Sequence, residues 1–143
     1  MTRLERTGWR DEALSARHRL YGENCPMLDI DFLACEFNTG KPVVLVEYKA
    51  GGLRRLDFKH PNYQALRHLA DASRIPFIIA FYSTLWSYTV IPLNDFALEW
   101  FTKGEQLSEL EYVRRLYALR GRELPARLEF RLNDVLPEVS HAS

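Results

Sequence analysis

Little cysteine, no net charge and no long apolar run are the first marks of this chain. Positive and negative side chains balance at 19 each, so no overall basicity advertises a polyanionic partner. A nucleic-acid-binding chain of this composition must concentrate its basic residues on one face. Cys25 and Cys35 are the only cysteines. One bridge between them is one reading; two buried or half-buried free thiols in a reducing cytosol is the expected one. With His18 they form no zinc motif, which needs more ligands at tight spacing. The longest apolar stretches, such as "IPFIIAFY", fall far short of the roughly 20 residues of a membrane span. The start, "MTRLERTGWRDE", is charged and carries no apolar core for a signal peptide. These absences point to a soluble, cytoplasmic protein with no membrane partner. Repeats, low-complexity tracts and linker-like segments are also missing, so residues 1–143 are expected to form a single domain.

What is present is a globular core. With 143 residues, of which 47% are hydrophobic and 13% aromatic, the chain is long enough for one real core and too apolar for disorder. Residues 9–20, "WRDEALSARHRL", read as a helix with a basic face, broken by Tyr21-Gly22-Glu23-Asn24. Met27–Glu36 alternates as a strand, so Asp29 and Asp31 share one face. "NTGKP" is a turn in which Asn38 and Gly40 can take positive φ, and Val43–Lys49 follows as the second strand of an antiparallel hairpin. There Val43, Leu45, Glu47 and Lys49 lie on one face, which allows both aspartates, Glu47 and Lys49 to gather on one side.

After Gly51-Gly52 the basic connector "LRRLDFKHP" leads to Pro61, which opens a helix over residues 61–73 with Tyr63, Leu66, Leu69 and Ala70 as its apolar stripe. "PFIIAFY" reads as a strand covered on both faces and "SYTVIPL" as a shorter one. Ser108 and Glu111 form a capping box, with Leu107 and Tyr112 at the staple positions, for a helix running to Arg120. Gly121 and Pro125 stop it. "RLEFRL" alternates as a last edge strand. The expected class is α/β or α+β, with a central mixed sheet flanked by helices.

Unpaired carboxylates are costly to bury. Three acids near one strand face are tolerable when a lysine or a divalent cation shares them, and carboxylate oxygens suit Mg²⁺. Such a cation polarises a phosphodiester and activates water; a neighbouring lysine orients that water or offsets phosphate charge. The residue types fit metal-dependent hydrolysis of a phosphodiester.

In "DIDFLA" followed by "VVLVEYK", where Glu47 comes sixteen residues after Asp31, the chain resembles the PD-(D/E)xK nuclease superfamily. The match runs over about residues 9–83, from the first helix through "PNYQALRHLADASRIPFIIAFY". The resemblance implies a restriction-endonuclease-like core and a small phage- or mobile-element-type member. It implies a Mg²⁺- or Mn²⁺-dependent hydrolase acting on nucleic acid, DNA ahead of RNA, with room for a homodimer. Carried over residue by residue, Asp31, Glu47 and Lys49 are the catalytic set, and Asp31 and Glu47, with Asp29, are the metal ligands. The proline expected directly before the first acid is absent; Pro26 lies three residues before Asp29. Glu12 and Gln64 are accessory candidates. A competing triplet, Asp57-Phe58-Lys59, lacks the apolar run of a core strand.

Arg17, His18 and Arg19, and Arg54, Arg55, Lys59 and His60, are candidates for gripping phosphate. Tyr82, Trp86 and Tyr88 can stack bases, although aromatics beside strands usually serve the core. The rival reading is a catalytically inactive protein of the same fold that binds nucleic acid or scaffolds. A plain solvent-facing strand surface with cross-strand ion pairs is the other.

Overall fold

A computed structural model describes residues 12–133. The chain divides into two compact units, Met1–Asp31 and Phe32–Ser143, each considered by itself. In the first, α1 (Glu12–Leu20) carries Glu12 in its first turn and Arg17, His18 and Arg19 in its last. That polarity complements the helix dipole. Residues 9–11 of the expected helix lie outside the described residues.

The second unit is α+β, with a five-stranded mixed sheet between helices. β1 (Phe32–Cys35) pairs antiparallel with β2 (Pro42–Ala50), as the short turn requires. Within that turn Gly40 takes φ +70°, whereas Asn38 stays out of the left-handed region. β2 then pairs parallel with β3 (Phe77–Tyr82) after a crossover through α2 (Pro61–Ser73). β3 pairs antiparallel with β4 (Tyr88–Pro92), and β4 with β5 (Glu105–Leu107), giving the spatial order β1-β2-β3-β4-β5.

The two central strands are covered on both faces, so their sequences are nearly continuous apolar runs. On one face Leu45 and Phe77 pack with Leu66 and Ala70 of α2. On the other, Val44, Val46, Ile78, Ala80 and Val90 pack with Phe101, Leu107 and Tyr112. Tyr112 belongs to α4 (Glu109–Ala118), whose Ser108–Glu111 capping box forms as its sequence requires. Leu69, placed in the α2 stripe by its spacing, is instead 47% exposed, and Leu66 and Ala70 do the packing.

Asn94 ties the crossover together. Among the described residues it is the buried polar one, and it caps α3 (Asp95–Leu98) by accepting from Ala97 N at 3.0 Å. Its Oδ1 also accepts from Phe77 N, and its Nδ2 donates to Asp71 Oδ1 and to the Ile75 carbonyl, each at 2.9–3.0 Å. Every polar group of the side chain is therefore satisfied, as burial demands.

Three expectations need correction. The first strand begins at Phe32, not Met27, leaving Asp29 and Asp31 outside any ladder. Alternation by itself gives no strand: Met27, Leu28 and Ile30 are all exposed, so no face of that segment is buried. Residues 126–133, which contain "RLEFRL", are helical rather than an edge strand. Leu128 and Leu132 are half-buried and Phe130 is 71% exposed, so the pair four residues apart governs. Cys25 and Cys35 are free, and both are exposed rather than buried, since Cys35 lies on the edge strand β1. Among the described residues no helix is long and apolar enough to cross a membrane.

Candidate active site on the second strand

Glu47 and Lys49 occupy the last part of β2, in parallel register with Ile79 and Phe81 of β3. Two residues apart on a strand, they share the face that Leu45 and α2 occupy. Both are half-buried, and Lys49 Nζ lies 3.6 Å from Glu47 Oε2. The ammonium also stands 5.9 Å from the centroid of the Tyr63 ring on α2.

The walls come from α2 and the connector before it. Leu56 and Phe58 pack onto the Ile79–Phe81–Ile91 cluster, with Tyr63 alongside. Phe58 meets Tyr63 edge-on, with centroids 5.9 Å apart. Gln64 donates through Nε2 to the Phe58 carbonyl at 3.3 Å and accepts from Arg67 Nη2 at 2.8 Å. It therefore fastens the connector to the helix, and its amide is engaged there. His60 is the cap of α2, its Nδ1 accepting from Asn62 N at 3.1 Å. The competing triplet folds into a turn, with Asp57 Oδ1 accepting from Lys59 N at 3.0 Å.

Since Leu56 and Phe58 point into the core, the connector turns Arg55, Asp57 and Lys59 to solvent. Arg54 is exposed as well, but it is anchored: Nη1 donates to the Ala50 carbonyl at 3.0 Å, and the guanidinium stands 5.4 Å from the Phe81 centroid. Arg54, Arg55 and Lys59 thus belong to the same unit as Glu47 and Lys49.

The remaining candidates lie in the first unit. Glu12, Arg17 and Arg19 are exposed on α1, and His18 is half-buried with its ring 5.8 Å from that of Tyr21. Asp29, His18 and Arg19 line one open groove of about 470 Å³ in that unit. Asp31 is exposed and directly precedes Phe32, whose register partner Val46 directly precedes Glu47. Among the described residues no group of three or more His, Cys, Asp or Glu side chains could hold a metal ion. Two carboxylates still satisfy Mg²⁺, which keeps several waters, and the donors present are hard oxygens rather than thiolates.

Sequence reasoning missed Tyr63 and Phe58 as walls of this site. Tyr63 was legible only as part of an apolar helical stripe, and nothing in its spacing distinguishes a core ring from one facing a lysine. Tyr88 serves the core: its ring stacks on Tyr112, with centroids 4.1 Å apart. Compared with protein-family models, with curated proteins and with solved structures, the chain matches none of them.

Proposed function

We propose that this protein is a metal-dependent nuclease of the PD-(D/E)xK type with a restriction-endonuclease-like core. The observation that carries the reading is the half-buried Glu47–Lys49 pair on one face of a core strand, walled by α2. The order of elements supports it: a helix, an acid at the entry to β1, a hairpin partner bearing Glu-x-Lys, a crossover helix and a parallel strand.

Asp31 and Glu47 would hold Mg²⁺ or Mn²⁺, with Asp29 as a further ligand. When bound, such a cation supplies Lewis acidity at the phosphoryl oxygen and makes water a better nucleophile near neutral pH. Lys49 presents its ammonium to the scissile phosphate, offsetting the charge that grows there and orienting the attacking water. Tyr63 holds that ammonium in place, and Gln64 fixes the wall through Phe58 rather than meeting the substrate. Arg54, Arg55 and Lys59 supply exposed cations for the flanking phosphates. DNA is the substrate favoured by analogy with the superfamily.

The test incubates purified protein with supercoiled, linear, single-stranded and branched DNA under Mg²⁺, Mn²⁺ or EDTA. Cation-dependent cleavage lost in Asp31→Asn, Glu47→Gln and Lys49→Ala supports the reading. Unchanged cleavage in all three variants places the chemistry elsewhere. A second reading, a non-catalytic nucleic-acid-binding module, is favoured by the ion pair itself, since Lys49 already neutralises Glu47. Salt-sensitive binding without cleavage is its signature.

A further inference from the structure

Where β2 ends, Gly51 N donates to the Tyr82 carbonyl at 2.8 Å. Gly51 itself takes φ +93°, a left-handed conformation that suits glycine. The connector then folds back on the strand it has just left: Arg54 Nη1 donates to the Ala50 carbonyl at 3.0 Å, and its guanidinium stands 5.4 Å from the Phe81 centroid. Leu56 and Phe58, next in the alternation, pack onto the cluster that contains Phe81. A cation thus occupies the sheet-facing position at which the following residues carry apolar groups, and it still meets solvent.

Phe81 is the register partner of Lys49 in the parallel β2–β3 ladder. The Lys49 ammonium stands over Tyr63, which packs against the same cluster. Arg54 and Lys49 therefore lie around one aromatic cluster on one face of the sheet, each held by a ring. They differ in counter-charge. Lys49 has Glu47 at 3.6 Å, and Arg114, Arg115, Arg120 and Arg122 of the same unit are each paired with a glutamate. Among the described residues no carboxylate pairs with Arg54, and its Nε–Nη2 edge makes no hydrogen bond. That edge is the planar fork that meets two oxygens of a phosphate at once. Held by a carbonyl and a ring, the side chain has little freedom left to lose on binding an anion.

We infer that Arg54 is the phosphate-gripping residue of this face, taking one backbone phosphate of nucleic acid through its Nε–Nη2 edge beside the phosphate that Lys49 serves. This rests on the nuclease reading and deepens it. The grip needs no metal and touches no base, so the chain binds the DNA backbone without a divalent cation and irrespective of sequence. Arg55 and Lys59, turned to solvent, add diffuse charge only.

Fluorescence anisotropy of labelled DNA duplexes in EDTA tests this, since no cation-dependent cleavage intervenes there. Arg54→Met keeps an apolar stem on Phe81 and removes the fork; Arg54→Lys keeps the charge and removes the fork. Arg74→Met is the control: that guanidinium stands 5.6 Å from the Phe96 ring and precedes the start of β3, whereas Phe81 lies near its end. Circular dichroism confirms that each variant is folded. Arg54→Met is expected to weaken binding about tenfold, as the loss of one charge-assisted contact requires. It should also reduce the slope of log K against log salt by about 0.9. Arg54→Lys should restore the slope but not the affinity. Arg74→Met should match the wild type, and duplexes of unrelated sequence should bind alike. Wild-type affinity in either Arg54 variant overturns the inference. So does an equal loss in Arg74→Met, a marked preference between the duplexes, or a wild type that binds no DNA without a cation. Cation-dependent cleavage by the wild-type chain is scored separately. Cleavage without Arg54-dependent binding defeats the grip alone; Arg54-dependent binding without cleavage defeats the nuclease alone.

Discussion

Lys49 Nζ and Glu47 Oε2 stand 3.6 Å apart on the α2-covered face of β2, with the Tyr63 ring beneath the ammonium. Both side chains keep some solvent contact, so the pair contributes only about 0–1 kcal/mol to stability. Its loss should therefore be felt in chemistry and not in folding. Lys49→Ala is expected to slow single-turnover DNA cleavage by about 10²–10³-fold while its thermal midpoint stays close to that of the wild type. A large drop in the midpoint with proportionate loss of activity would make the lysine structural.

The Tyr48 and Tyr112 hydroxyls meet at 2.6 Å, with Tyr88 stacked on Tyr112. Burial raises the pKa of all three, that of Tyr88 to about 12. A phenol held neutral by the fold contributes stability that is complete below the unfolded value near 10. That contribution disappears as pH climbs through the folded values. Thermal unfolding should thus be flat up to about pH 9 and fall above about pH 10, with tyrosinate absorbance appearing alongside the loss of structure. Free titration of these tyrosines at pH 10 in a still-folded protein would contradict the packing. At neutral pH, Tyr112→Phe removes the shared hydrogen bond and should cost about 1 kcal/mol.

Asn94 makes four hydrogen bonds that span α2, β3 and α3. Alanine there leaves Phe77 N and the Ile75 carbonyl unsatisfied in the core and uncaps α3. Urea denaturation of Asn94→Ala should show a loss of about 2–4 kcal/mol. Asn94→Asp should also be destabilised, since it keeps the acceptor but sets a carboxylate against Asp71 and a carbonyl. Near-neutral behaviour of either variant would show that the crossover does not depend on this residue.

The helical residues 126–133 can be tested against the strand that their alternation imitates. In a strand Leu128, Phe130 and Leu132 share a face, whereas in the helix only the two leucines turn inward. Phe130→Ser should change stability by less than about 0.5 kcal/mol, and Leu128→Ala should cost more than that. Equal losses at positions 128, 130 and 132 would favour the strand.

The hairpin, the crossover helix and the capped α4 were legible because each is written in local chemistry. Gly40 supplies the turn, Pro61 opens α2, and Ser108 and Glu111 cap α4. The short elements α3 and β5 were not legible. Asn94 caps α3 as part of a network reaching residues 17–23 positions away, and three residues of β5 form a strand only because β4 pairs with them. The Glu47–Lys49 pair was visible as a spacing, but the Tyr63 wall was not, since it does not follow from its neighbours in sequence.

By itself the sequence determined which residues could enter a covered strand and where turns and helix starts had to fall, because those depend on φ, caps and apolar periodicity within a few residues. Tertiary structure alone decided that the first ladder begins at Phe32 and that "RLEFRL" coils. It also set Tyr63 beneath Lys49 and the Trp86 ring nearly parallel to that of Tyr82. A strand exists only through its partner, and a side chain's neighbours across the core are chosen by packing rather than by spacing.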